Sequence, residues 1–132
     1  MRVTKPRERW FNVPDDPDGA RIKIRAMTPG ERQEILDNAF VQEVEYRQDE
    51  SGEMRPHMKQ HTDTKYDREA TLKKCVVGWD GIFDADGSVF EFNEQNIIRA
   101  SKEIHGFVEF VNHCRRRIDK DFEDDEKELE KN

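Results

Sequence analysis

Two acidic turns, which end at Gly19 and Gly87, contain aspartates that could bind a calcium ion. An EF-hand loop needs oxygen ligands at its first, third and fifth positions, glycine at the sixth and glutamate at the twelfth. With Gly87 as the sixth residue, the first is Ile82 and the twelfth is Asn93; with Gly19 as the sixth, the first is Pro14. We therefore interpret both segments as ordinary aspartate-rich turns.

A zinc site is the second candidate for chemistry. His57 and His61 are four positions apart, a spacing that would place both imidazoles on one face of a helix. Zinc needs three or four protein ligands, however, and Cys75 lies too far along the chain to complete a motif. Surface histidines are the preferred interpretation, and a metal-dependent enzyme using these histidines and a carboxylate is the alternative. His105 and His113 flank an apolar stretch and are interpreted as residues at its boundary.

Nucleophilic and nucleotide chemistry lack their sequence motifs. The chain has no Gly-x-Ser-x-Gly and no glycine-rich phosphate loop, and its two cysteines, Cys75 and Cys114, are in apolar settings. Buried cysteine behaves as a small core residue, so two free thiols in a reducing compartment are expected, with a single disulfide as the alternative. We expect a protein that is not an enzyme, with no catalytic residue, no metal and no cofactor.

The composition limits the size of the core and the class of partner. The 132 residues are 33% apolar and 40% charged, which predicts one domain with a small core. The net charge of −7 comes largely from residues 119–132, where eight carboxylates face three lysines. The rest of the chain is near neutral, so nucleic acid is not an expected partner. Apolar runs are too short to span a membrane, and residues 1–9 do not resemble a signal peptide.

The first predicted element is an antiparallel hairpin. Residues 9–13 and 20–26 alternate in polarity on either side of a Pro/Asp/Gly turn at 14–19. Ile22 and Ile24 should share one face, opposite three basic side chains. A helix over residues 29–44 should follow and pack on the hairpin, because Thr28 and Glu31 form a capping box, and Ile35, Leu36, Ala39 and Phe40 recur at helical spacing.

Residues 45–65 are polar and contain a turn at 48–53. Two structures fit this segment, a mobile loop and an extended solvent-exposed hairpin. Loops of about twenty residues are uncommon in compact domains unless they are functional or disordered. The segment is therefore a candidate contact arm.

The second half of the chain predicts two helices around a short hairpin. Asp67 can cap a helix from Arg68 to about Val77, and residues 81–83 and 88–92 flank an Asp-Gly turn. Asn93 can cap a last helix that continues to Ile118, with a break between residues 101 and 106 because Gly106 is unfavourable inside a helix. The predicted fold is α+β: an N-terminal β-hairpin and a second short hairpin packed against about three helices, with a single small core.

The predicted domain covers residues 1–118, with the insertion at about 45–65. Residues 119–132 form an acidic tail, for which disorder and a solvated helical extension are both open. Large aromatic side chains are the candidate partner-binding residues because such side chains often dominate interfaces, although core packing is the preferred explanation for Trp10, Phe11 and Trp79. The candidates are Trp10, Phe11, Trp79, Phe107 and Phe110.

The order of these elements resembles the tail assembly chaperones and related small tail proteins of long-tailed bacteriophages. The resemblance covers about residues 20–118 and is carried by three segments. They are Met27-Thr28-Pro29-Gly30-Glu31-Arg32 after the strand pair, Val76-Val77-Gly78-Trp79-Asp80-Gly81-Ile82 with Asp86-Gly87, and Val89-Phe90-Glu91-Phe92-Asn93-Glu94-Gln95-Asn96 at the start of the last helix. The insertion at 45–65 and the acidic tail have no counterpart in that pattern.

The resemblance implies a non-enzymatic protein of the host bacterial cytoplasm that coats the tape-measure protein and helps to recruit tail-tube subunits. Some members of the family are extended by a translational frameshift. Self-association is expected, and neither nucleic acid nor a membrane is an expected partner. The alternative is a structural component of the virion tail, such as a tail terminator, neck or minor tail protein, in which the arm would bridge neighbouring subunits.

Overall fold

The computed structural model describes residues 1–3 and 5–130. It has the predicted α+β architecture, with two small antiparallel sheets, four helices and one core, and the core contains no residue of the second sheet. The elements in chain order are β1 (Glu8–Asn12), β2 (Arg21–Arg25), α1 (Pro29–Ala39), β3 (Phe40–Gln48), β4 (Met54–Thr62), α2 (Thr64–Cys75), β5 (Val76–Asp80), α3 (Glu94–Glu103) and α4 (Phe107–Glu130).

The first sheet contains the predicted N-terminal hairpin. β1 pairs with β2, and β5 adds to the other side of β2, so the strand order is β1-β2-β5. The predicted alternation is confirmed: Ile22 and Ile24 are buried on the inner face, whereas Arg21 is exposed on the outer face. The inner face of this sheet carries the core that the helices cover.

The strand β5 was not predicted. Val76 and Val77 were assigned to the end of a helix, but α2 ends at Cys75 and the chain continues directly as a strand. The predicted start of this helix was also wrong, because Asp63 is the N-cap and its side chain accepts a hydrogen bond from the Tyr66 amide at 3.0 Å. Asp67 lies inside the helix and bonds Arg32 of α1 at 2.7 Å instead.

The capping box at the start of α1 is confirmed, since Thr28 and Glu31 exchange both predicted hydrogen bonds. The predicted end at residue 44 is wrong, because α1 ends at Ala39 and Phe40 begins β3. Only part of its predicted apolar stripe is buried, since Leu36 and Phe40 are exposed. The helix packs mainly on α2 rather than on the hairpin.

The polar insertion is an extended hairpin, one of the two structures that the sequence left open. β3 and β4 are each nine residues long and pair with each other over their whole length, and neither joins the first sheet. They begin earlier than predicted, at Phe40, because the residues assigned to the end of α1 belong to the hairpin. We call this hairpin, residues 40–62, the arm.

The second predicted hairpin is reduced to one bridge, between Phe83 and Val89, around the Asp-Gly turn. Asn93 caps α3 as predicted, and the helix break is also confirmed, since α3 ends at Glu103 and α4 begins at Phe107. Gly106 lies between them with φ of 82°, a backbone conformation that residues other than glycine seldom adopt.

α4 continues through the acidic tail as far as Glu130, so the tail is helical where it is described. Its first half is buried through Val111, Cys114 and Ile118, and its second half is mostly exposed. Cys75 and Cys114 are both buried as free thiols. Among the described helices, none combines the length and the apolar character that a membrane crossing requires.

Candidate protein-binding surface on the arm

The register of the arm decides which side chains share a face. Phe40 is opposite Thr62, and the pairing continues without a bulge to Gln48 opposite Met54. Side chains alternate between the faces of a strand, and directly paired residues share a face. All even-numbered residues of both strands therefore lie on one face, and all odd-numbered residues lie on the other.

The even-numbered face carries no charge, and we call it the uncharged face. It contains five apolar side chains that are 52–63% exposed, with three glutamines, a threonine and a proline between them. Its residues are Phe40, Gln42, Val44, Tyr46, Gln48, Met54, Pro56, Met58, Gln60 and Thr62. Val44, Tyr46, Met54, Pro56 and Met58 are neighbours on this face, whereas the Gln42/Gln60 pair separates Phe40 from them. A contiguous exposed apolar patch of this kind is typical of a protein-binding surface.

The odd-numbered face carries all the ionised side chains of the two strands, three cations and two carboxylates, together with Val41 and both histidines of the arm. Arg47 pairs with Glu45 along β3 at 3.2 Å, and Arg55 reaches Asp49 in the turn. The arm is therefore amphipathic, although both of its faces are open to solvent. This arrangement leaves the uncharged face without an intramolecular partner among the described residues.

The tip of the arm is held by one carboxylate. Asp49 accepts hydrogen bonds from the Ser51 amide at 2.9 Å and from the Glu53 amide at 3.0 Å, and it pairs with Arg55. The Ser51 hydroxyl and the Arg55 guanidinium, with the two amides, lower the pKa of Asp49 to about 2. The carboxylate is therefore ionised at neutral pH and fixes the turn that sets the register.

The two edges of the arm differ. The Asp49 amide donates to the Glu53 carbonyl at 2.8 Å, and the Asp63 amide donates to the Ala39 carbonyl at 2.7 Å, which makes the odd-numbered pairs the hydrogen-bonded ones. The backbone groups of even-numbered residues therefore point outward, away from the partner strand. On β4 this outward row contains Pro56, which has no N–H to donate. On β3 the outward row contains no proline.

Four of the five predicted partner-binding aromatics lie in or against the core. Phe11 and Phe107 are buried, and Trp79 is half-buried with its indole N–H donating to the Phe90 carbonyl at 2.7 Å. Trp79 stacks on the Phe90 ring at 5.6 Å between centroids and meets Phe107 edge-on at 6.2 Å. This packing joins β5 to the segment before α3 and to the start of α4.

The remaining aromatics of the five, Trp10 and Phe110, are also apart from the arm. Trp10 is on the outer face of the first sheet, 39% exposed, with the Arg21 guanidinium 4.4 Å from its ring centroid. Phe110 is half-buried against the core. The five residues therefore do not form one surface, and whether any of them contacts a partner stays a prediction.

The side chains considered for chemistry are also dispersed. His57 and His61 are on β4, Asp84 pairs with Arg99 at 3.0 Å, and Asp86 accepts hydrogen bonds from Ser88. Within residues 1–3 and 5–130, no three His, Cys, Asp or Glu side chains are grouped so as to hold a metal ion.

Burial makes the two thiols poor nucleophiles. It raises the pKa of the Cys75 thiol and raises that of Cys114 to about 11, so both are protonated at neutral pH.

A cleft of about 670 Å³ lies between the segment before β1 and α4. Its lining contains basic and acidic side chains but no histidine, cysteine or serine. The arm is therefore the strongest candidate site, as a candidate protein-binding surface.

In comparisons with known proteins, no protein family, curated protein or solved structure matches this chain.

The uncharged face was not identified from the sequence, although the pattern of residues 40–48 indicates it. The strict alternation of uncharged and charged side chains from Gln42 to Gln48 has the period of a strand. The assignment of Phe40 and Val41 to a helix concealed it.

Proposed function

We propose that this protein is a phage tail assembly chaperone that binds the tape-measure protein and tail-tube subunits, and that the arm is its main contact with a helical partner. The observation that supports this is the uncharged face, ten side chains without a charge on an element that projects from the core. The sequence resemblance to tail assembly chaperones supplies the identity of the partner.

The dimensions of the arm suit a helix. A strand of nine residues is about 30 Å long, which is the length of a helix of about 20 residues. Methionine side chains adapt to differently shaped apolar partners, and Met54 and Met58 are both on the uncharged face. An amphipathic helix laid along this face would cover its apolar side chains while its own polar side stayed in water.

Co-expression tests this proposal. The proposal predicts that a long helical chain is encoded beside this gene. The tagged protein is produced together with that chain and, separately, with an unrelated coiled coil of similar length. We expect the first chain and not the second to co-purify and to remain soluble. Failure to bind the neighbouring chain, or equal binding of both chains, would refute the proposal.

A structural protein of the virion is the second candidate, because the projecting arm could also bridge neighbouring subunits. Mass spectrometry of purified particles separates the two functions. A chaperone is absent from the finished particle, whereas a tail terminator, neck or minor tail protein is present in stoichiometric amount.

A further inference from the structure

We propose that the outer edge of β3 pairs with the same edge of a second copy of this chain, forming an antiparallel four-stranded sheet of order β4-β3-β3-β4 across a two-fold axis. This inference concerns an edge of the arm rather than its uncharged face. It does not depend on the proposed function.

The arm lacks the third strand or packed helix that usually stabilises a hairpin. A two-stranded hairpin is marginally stable in water and is usually stabilised by a third strand or by packing on a helix. The arm has neither among the described residues, although it contains the two longest strands of the fold. Pairing with a second copy supplies the third and fourth strands.

The two outer edges of the arm differ in their ability to pair with another strand. Outward-pointing N–H and C=O groups on β3 belong to the even-numbered residues from Gln42 to Gln48, and none of them is a proline. Pro56 interrupts the corresponding row on β4, and proline on an edge is a common protection against pairing. Pairing is therefore favoured at β3 and opposed at β4, which closes the assembly at two copies through this element.

The charged side chains of β3 also favour pairing with a second copy. On the charged face, β3 carries Glu43, Glu45 and Arg47 in that order. Antiparallel pairing with a two-fold axis near Tyr46 sets Glu45 opposite Arg47 of the second copy on both sides of the axis. An axis near Glu45 sets Glu43 opposite Arg47 but also sets the two Glu45 side chains opposite each other, so the register centred on Tyr46 is favoured. Opposite charges directly across a strand pair stabilise it. A foreign strand would need to match this pattern, whereas a second copy has it already.

The pairing also has a consequence for the uncharged face. Outward groups belong to even-numbered residues in both copies, so the paired residues are even-numbered and the two uncharged faces join on one side of the sheet. With strands about 4.8 Å apart, four strands make a face about 19 Å wide. Packed helices are about 8–10 Å apart, so this face is wide enough for two of them.

Proline substitution on each edge tests the inference with a matched pair. Gln42 and Gln60 are directly paired, exposed and on the same face, but their amides point to opposite edges. Sedimentation velocity over a range of concentrations should show a dimer for the native protein and for Gln60→Pro, and a monomer for Gln42→Pro. A monomeric native protein, or self-association that Gln42→Pro leaves unchanged, would overturn the inference.

A second pair of variants changes side-chain charge and keeps every backbone N–H. It distinguishes the two edges if both proline variants are monomeric. Arg47→Glu on β3 and Lys59→Glu on β4 make the same change of charge on the same face. We expect Arg47→Glu to weaken the dimer at least tenfold and Lys59→Glu to leave it within about twofold, the tenfold loss corresponding to about 1.4 kcal/mol. Equal effects of the two charge variants would also overturn it.

Discussion

At the residue scale, the contact between β2 and α1 depends on one glutamate. Glu31 completes the capping box and also pairs with the Arg25 guanidinium at 2.5 and 2.9 Å, with both side chains largely shielded from solvent. The bonds to Arg25 and to the Thr28 amide lower the pKa of Glu31 to about 2. The ionised form is therefore favoured in the folded state.

The first prediction follows from this shift. A carboxylate whose pKa is lowered on folding stabilises the protein above its unfolded pKa and loses that effect as the pH falls. Replacement of Glu31 by Gln should lower the free energy of unfolding by about 1–2 kcal/mol at pH 7 and by much less at pH 2. Urea denaturation at several pH values measures the difference. Glu34→Gln, at an exposed position of the same helix, is the control and should change little at either pH.

The second prediction concerns Gly81. It adopts φ of 74°, and a Cβ at this position would lie 3.1 Å from backbone atoms of Asp18, Gly19 and Ala20. Gly81→Ala should therefore cost more than about 2 kcal/mol, since the strained backbone alone costs about 1–3 kcal/mol and the first turn must also move.

Gly87→Ala is the matched control, because Gly87 has φ of 87° but open space around the added methyl group. It should cost about 1–2 kcal/mol, from backbone conformation alone, and less than Gly81→Ala. Equal losses of unfolding free energy in chemical denaturation would show that the contact with the first turn does not matter.

At the element scale, the arm depends on its tip. Because the pKa of Asp49 is lowered, its bonds to the turn are complete at neutral pH and are lost as the pH falls from about 4 through 2. Asp49→Ala should loosen the arm without unfolding the core, since β3 and β4 contact mainly each other. Hydrogen exchange should speed up for arm amides and stay unchanged for β2. Faster exchange in both would show that the arm and the core unfold together.

The tail of α4 gives a contrasting prediction. Asp121 pairs with Arg9 at 2.9 Å and Asp125 pairs with Arg7, but these side chains are about half exposed. Exposed ion pairs contribute about 0–1 kcal/mol, so Asp121→Asn and Asp125→Asn together should lower the unfolding free energy by less than about 1 kcal/mol. Ile118→Ala, at a buried position of the same helix, should cost about 2–4 kcal/mol. Thermal or urea unfolding measures both.

Short-range sequence features correctly predicted several elements of the fold. The first hairpin, the capping box at Thr28, the cap at Asn93 and the break at Gly106 were all found from the sequence, because each depends on residues close together in the chain. β5 was missed because its strand conformation depends on pairing with β2, which is more than fifty residues away. Residues 40–44 were misassigned because a short apolar run fits a helix and a strand equally well.

The candidate site was predicted only as a segment. The polar composition of residues 45–65 indicated a candidate contact arm, but its uncharged face requires the register of β3 against β4, which residue spacing alone does not give. The aromatic residues chosen for partner binding were selected by type. Type does not separate Trp10, on the outer face of the sheet, from Phe107, in the core.

At the scale of the whole molecule, the buried core and the exposed arm are separate parts of the structure. The core holds protonated thiols and satisfied polar groups, since no buried side-chain nitrogen or oxygen among the described residues lacks a hydrogen-bond partner. Most of the net negative charge is carried by residues 119–132, which are not part of the arm. The arm is an amphipathic extension with an uncharged face that is open to solvent.

Binding of a partner to the uncharged face is tested most directly by two adjacent variants, Met58→Lys and His57→Lys. Both positions are exposed on β4, but Met58 is on the uncharged face and His57 is on the charged face. In co-purification with the long helical chain encoded beside the gene, we predict that Met58→Lys reduces capture at least tenfold and that His57→Lys retains it. Equal capture by the two variants, or loss with His57→Lys alone, would contradict partner binding at this face.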